Sequence, residues 1–216
     1  MIDYLRNIFA AQYEAALCMM NQCVEACQPQ HWEGKIANDS FRQVAYHALF
    51  FTDLYLSPDE KAFELRELHH RGGDERGPNA SIGLDKEETL SYVGICRAKV
   101  AQALAKETPE SLQAPSGFSW RMHSRGELHV YNIRHLQHHV GQLSAYLRRV
   151  DPALKDAKAL PWDQLGLAIA LSFFALSSRQ RKTAPIGEIK NFGIEPTPSC
   201  PPISMRPLKS APQNFP

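Results

Sequence analysis

The segment Ser124–Val150 carries polar side chains on a helical stripe where a buried helix needs apolar ones. At helical spacing its inner face reads Leu128, Asn132, His135, His139, Gln142 and Tyr146, a heptad-like seam. Each residue of a helix turns by about 100°, so His135 and His139 differ by about 40° and stack one turn apart. By the same rule His138 lies about 60° to the other side of His135 and His129 about 120° away, which leaves two histidines on the seam. An imidazole nitrogen buried without a partner costs about 1–3 kcal/mol. Hydrogen bonding to a Tyr, an Asn or a backbone carbonyl answers for one such residue. Two at this spacing, with His47 on the apolar seam of another helix, point to a shared metal ion. Three histidines would leave coordination positions open to water or to a substrate atom. Imidazole suits Zn, Ni, Fe and Cu alike, so the pattern does not select the metal.

Three further long helices are expected. The first runs from Ile2 to Cys27, with Leu5, Ile8, Phe9, Gln12, Ala16, Met19 and Cys23 on one face, and Pro29 stops it. The second starts at Asp39 or Ser40 and runs to Leu56, with Val44, His47, Phe51 and Leu54 inward. The third opens on the capping-box pair Asp85 and Glu88 and runs to Lys106, with Leu90, Val93, Arg97, Val100 and Leu104 inward. Residues 57–84 form a long connection, with a short helical piece near Lys61–Leu68. No convincing strand pattern and no repeat is present. Four long helices and one long connection indicate an all-α four-helix bundle.

The expected domain division is a bundle over residues 1–162, an apolar helix packing on it over 163–178, and a Pro-rich tail over 179–216. Gln164–Ser178 is a run of 15 uncharged residues, shorter than the ~20 a membrane span needs. From Gln180 onward, 37 residues hold eight prolines, a composition that reads as disordered. The 24 basic and 23 acidic residues are well mixed and give a formal charge of +1, so no basic face for nucleic acid is expected. Five cysteines in no framework spacing, and no signal-peptide pattern at Met1–Arg6, point to free thiols in a reducing cytoplasm.

Other ligand candidates are weaker. Cys23 and Cys27 share a helix face, but no further Cys or His completes a zinc spacing, so they read as small buried hydrophobes. His69 and His70 read as a solvated pair, and His31 and His123 as loop residues with no evident partner. Asp53, about 120° from His47, reads as a surface group or as support for a ligand.

The sequence resembles the DinB/YfiT-like superfamily of small bacterial four-helix bundles. The likeness rests on Val44-Ala-Tyr-His-Ala-Leu-Phe-Phe51, on His135-Leu-Gln-His-His-Val-Gly-Gln142, and on the lead-in Gly126-Glu-Leu-His-Val-Tyr131, and covers roughly residues 1–160. It implies an up-down-down-up bundle, often a homodimer, with a divalent metal (Zn, Ni or Fe) held by His47, His135 and His139. Some relatives are metal-dependent thiol transferases or isomerases that use a low-molecular-weight thiol; many have no established activity. The family commonly has Arg before its Gly-Gln pair, where Val140 stands here. Asn132, Gln142 and Tyr146 share the seam and are candidates for orienting the ligands or lining a substrate. Asn132 and Gln142 read first as hydrogen-bonded polar groups of the core. Two functions follow as expectations: a metal-dependent S-transferase or hydrolase acting on a small molecule, or a non-catalytic stress-related or interaction protein whose site is structural or empty.

Overall fold

Four helices of the chain begin on the same device. Ser40, Asp85, Thr108 and Ser124 each accept a hydrogen bond from the backbone N–H three residues on. The side chains of Gln43, Glu88, Ser111 and Glu127 reach back to the four cap residues. Each reciprocal pair satisfies N–H groups that the first turn of a helix leaves without partners. The computed structural model describes residues 1–72, 84–121 and 123–155. The long elements are α1 (Ile2–Ala26), α2 (Phe41–Tyr55), α4 (Lys86–Lys106) and α6 (Arg125–Val150); the short helices are α3 (Glu67–Gly72), α5 (Pro109–Gln113) and α7 (Pro152–Lys155). The apolar segment Gln164–Ser178 and the Pro-rich tail lie outside the described residues.

Side-chain contacts fix the directions. Tyr13 meets His129 and Met19 meets Gln137, so α1 and α6 run parallel. Phe41 packs on Tyr146 while Thr52 meets Asn132, so α2 runs against α6. Tyr46 packs on Tyr92 and Asp53 meets Lys99, so α2 and α4 run parallel. Arg6 reaches Glu107 and Lys86 reaches Cys27, so α4 runs against α1. The fold is therefore an all-α, up-down-down-up four-helix bundle. Among the described residues no helix is long and apolar enough to cross a membrane.

Several local expectations need correction. Tyr13, Leu17, Met20 and Val24 are fully buried on α1, whereas Gln12 is exposed and Ile8 is 37% exposed. Its buried arc is turned from the expected stripe because α1 packs against α4 and α6 at once. The short helix in the long connection covers Glu67–Gly72, not Lys61–Leu68. A turn closed by Asp59, whose carboxylate accepts from the Ala62 N–H at 2.8 Å, precedes it. Pro109 starts the short helix α5, since Thr108 caps it and Pro is well suited to its first turn. The loop after α1 contains a minimal antiparallel pair, β1 (Lys35–Ile36) and β2 (Asp39–Ser40), in which Lys35 faces Ser40. That hairpin delivers Ser40 to its capping position.

Gly34 packs where no side chain fits: a Cβ there would stand 1.7 Å from the Tyr146 hydroxyl. The Tyr146 ring is held by Phe41 at 6.0 Å and His31 at 6.4 Å between ring centres. Gly34→Ala is therefore expected to cost about 1–3 kcal/mol, as overpacking does. Thermal melts of this variant and of its combination with Tyr146→Phe check the cause. Removing the hydroxyl should recover part of the loss.

Candidate metal centre

The centre sits where α2 crosses α6. His47 comes from the middle of α2, and His135 and His139 from successive turns of α6. Their ring nitrogens converge: His135 Nε2 lies 3.2 Å from His47 Nε2 and 3.1 Å from His139 Nε2. The three candidate ligand atoms all lie within 4.8 Å of one another. Three imidazole nitrogens about 2.1 Å from one ion would stand about 3.0–3.4 Å apart, so the two short separations match the edges of such a set. The donors are nitrogens only, which fits Zn, Ni or Fe and not Mg or Ca, which take oxygen.

The surroundings hold the rings in place. His139 is 4% and His47 9% exposed. Phe51 packs on His47 at 4.6 Å and on His135 at 5.6 Å, and Tyr131 stacks on His135 at 6.0 Å with 18° between planes. Gln142 Oε1 stands 2.8 Å from His139 Nδ1. An amide oxygen only accepts, so a neutral His139 carries its proton on Nδ1 and presents a lone pair at Nε2.

A family model described as the DinB superfamily matches residues 12–143, from α1 through most of α6. The chain belongs to the DinB superfamily. Neither curated proteins nor solved structures yield a match to it.

The remaining seam residues of this DinB protein are placed as follows. Gln142 touches the triad through His139. Asn132 is fully buried and its Nδ2 donates to the Thr52 carbonyl at 3.1 Å, tying α6 to α2 one turn away from the triad. Tyr146 lies seven residues beyond His139, about 10 Å along the axis. Its hydroxyl approaches the His31 carbonyl at 3.5 Å, on the loop after α1.

Two buried polar clusters flank the centre, and the sequence reading missed both. Asp53 is not a surface group: it is fully buried between α2 and α4. Lys99 Nζ lies 2.5 Å from its Oδ1, and Arg66 Nη1 2.5 Å and the Tyr92 hydroxyl 3.1 Å from its Oδ2. Nor is His69 part of a solvated pair. It is 5% exposed, its Nδ1 accepts from the Arg66 N–H at 2.8 Å, and its Nε2 lies 2.8 Å from the Tyr92 hydroxyl. Burial alone would raise the pKa of Asp53. Hydrogen bonds from His69 and Lys99, with the charges of Lys99 and Arg66, outweigh it and hold the group at about 2.

In the second cluster Glu107 Oε1 accepts from Arg125 Nε at 2.9 Å and stands 3.0 Å from His129 Nε2. His129 Nδ1 in turn lies 3.2 Å from the Tyr13 hydroxyl, and burial pushes the His129 pKa down against the pull of Glu107. Burial would raise Glu107 also, yet the hydrogen bonds from His129, Ser111 and Arg125 bring it down to about 2. Cys23 and Cys27 behave as small core residues: burial raises their thiol pKa to about 12 and about 11.

Proposed function

We propose that this DinB-superfamily protein holds a divalent cation on His47, His135 and His139 and uses it on a small thiol-bearing or hydrolysable substrate. The observation that carries the reading is the convergence of three Nε2 atoms, two pairs of them 3.1 and 3.2 Å apart, between α2 and α6. When bound, such an ion supplies Lewis acidity and eases deprotonation of a coordinated water or thiol. The chain's own residues do the rest. Gln142 fixes the tautomer and tilt of His139. Phe51 and Tyr131 pack on the His47 and His135 rings and restrict their rotation. His135 is the half-open ligand: with Tyr131, Arg134 and His138 it lines a groove of about 720 Å³ between α6 and α1, so that groove touches one of the three ligands.

Homodimer assembly and a cytoplasmic setting belong to the same proposal. Four buried cysteines among the described residues, Cys18, Cys23, Cys27 and Cys96, suit a reducing compartment.

The test is metal content of untagged protein. Close to one ion per chain is expected in the parent, and its loss in His135→Ala with the helical signal intact. Equal metal in both proteins would remove the site. Gln142→Leu should weaken metal binding by about tenfold or more, read by competition with a chelator, because the partner that orients His139 is gone. Chelation should leave the bundle folded; collapse on chelation would make the ion structural rather than reactive.

A further inference from the structure

Arg121 stands against Tyr131, the ring that stacks on His135, and among the described residues no carboxylate pairs with it. Its Nε donates to the Tyr55 hydroxyl at 3.1 Å and its Nη2 to the Tyr131 hydroxyl at 2.6 Å. The guanidinium carbon lies 4.1 Å from the centre of the Tyr131 ring and 5.5 Å from that of Tyr55. Both partners are neutral, so the positive charge is positioned and not cancelled. A guanidinium carries five N–H donors, and two are engaged here; those left retain the planar fork that matches a carboxylate. The flanking rings strip water from the cation and strengthen any charge pair it makes.

The placement relates this cation to the metal centre. Tyr131 is itself stacked on His135 with 6.0 Å between ring centres, so Arg121 stands no more than about 10 Å from the His135 ring. Among the described residues no acidic side chain lines the neighbouring groove of Tyr131 and His135, which carries Arg134 and not Arg121. Beside Arg121, Trp120 is 45% exposed with its indole N–H 3.5 Å from the Tyr55 hydroxyl, an apolar plate next to the charge.

We propose that Arg121 receives the carboxylate of the small ligand whose thiol reaches the triad, so that the substrate class is a carboxylate-bearing thiol. This rests on the metal reading above. A carboxylate at Arg121 and a sulfur at the three histidines fix the two ends of one molecule across the Tyr131 ring, and Trp120 covers whatever apolar part lies between.

The experiment loads full-length protein with cobalt and follows the thiolate-to-cobalt charge-transfer absorption. The probes are mercaptoacetate, mercaptopropionate, mercaptobutyrate and mercaptohexanoate, each paired with the mercapto-alcohol of the same length. The carboxylate of matching length is expected to bind about tenfold more tightly than its alcohol, the size of one charge-assisted pair. Arg121→Gln should abolish that preference and leave alcohol binding unchanged; Arg121→Lys should restore part of it. Equal affinities in the parent, or a variant that weakens acids and alcohols alike, would overturn the role of Arg121 while the metal site stands. Cobalt binding without any thiolate band would also overturn the inference alone. A parent protein that takes up no cobalt overturns the metal reading and this inference with it.

Discussion

Arg125→Met is expected to lose about 3–5 kcal/mol of stability, a large share of the 5–15 kcal/mol typical of a domain. The residue is 7% exposed, and four of its five N–H donors are engaged. Its Nη1 donates to the carbonyls of Tyr55 at 2.9 Å and Ser57 at 2.7 Å, its Nη2 to that of Leu56 at 3.1 Å, and its Nε to Glu107. The carbonyls at the end of a helix have no partners within it and carry the negative end of its dipole. One guanidinium from the start of α6 thus closes the C-terminal end of α2. Methionine fills similar volume but strands three carbonyls and removes a cation from Glu107. Arg125→Lys retains the charge without the fork and should fall between parent and Arg125→Met. Urea unfolding followed by far-UV circular dichroism reads the effect. A methionine variant within 1 kcal/mol of the parent would show that water replaces the guanidinium at the helix end. Glu107 also binds His129, so Arg125→Met and Glu107→Gln should together cost less than their sum.

The four long helices were legible because their signals are local. Asp85 with Glu88, and Ser124 with Glu127, mark helix starts within four residues, and Pro29 marks a stop. The triad was legible for the same reason, since two histidines one turn apart violate an apolar stripe. What the sequence hid was lateral. A helix in this bundle buries two flanks, one against each neighbour, whereas a single-seam reading assigns one. His129 lies about 120° from His135, off the seam, yet that angle points it at α1, where Tyr13 and Phe9 cover it. Asp53 lies at a similar angle from His47 and points at α4. Glu107, Arg125 and His129 meet from α4 and α6, and no spacing along one segment encodes such a meeting. Arg121 stands in a loop with no periodicity, and only its two tyrosine partners reveal its placement.

Asp53→Asn is expected to cost about 3–5 kcal/mol at neutral pH, because it leaves Lys99 and Arg66 facing a neutral amide in a buried site. Asn retains the shape and some hydrogen bonds, so the loss reports charge more than packing. The pH dependence separates the two. In the folded chain Asp53 titrates at about 2, below the ordinary 3.8 of the group. A carboxyl depressed by folding stabilises fully above its unfolded pKa, and the contribution disappears as pH falls through the folded value. The gap between parent and Asp53→Asn should therefore be constant above about pH 5 and narrow as pH approaches 2. Glu107, also brought down to about 2, adds a second loss in the same acid range, which both proteins share. His129, held below its usual range by burial, begins to cost stability earlier, as the unfolded chain takes up a proton near pH 6.5 that the folded chain refuses. The parent should accordingly lose stability in two stages on acidification, one from His129 and one from the carboxylates. Melts of chelator-treated protein across that range test this without interference from bound metal. A parent-to-variant gap that stays constant down to pH 2 would mean that the Lys99 and Arg66 charges do not act on Asp53, and that the cluster holds α2 to α4 by packing alone.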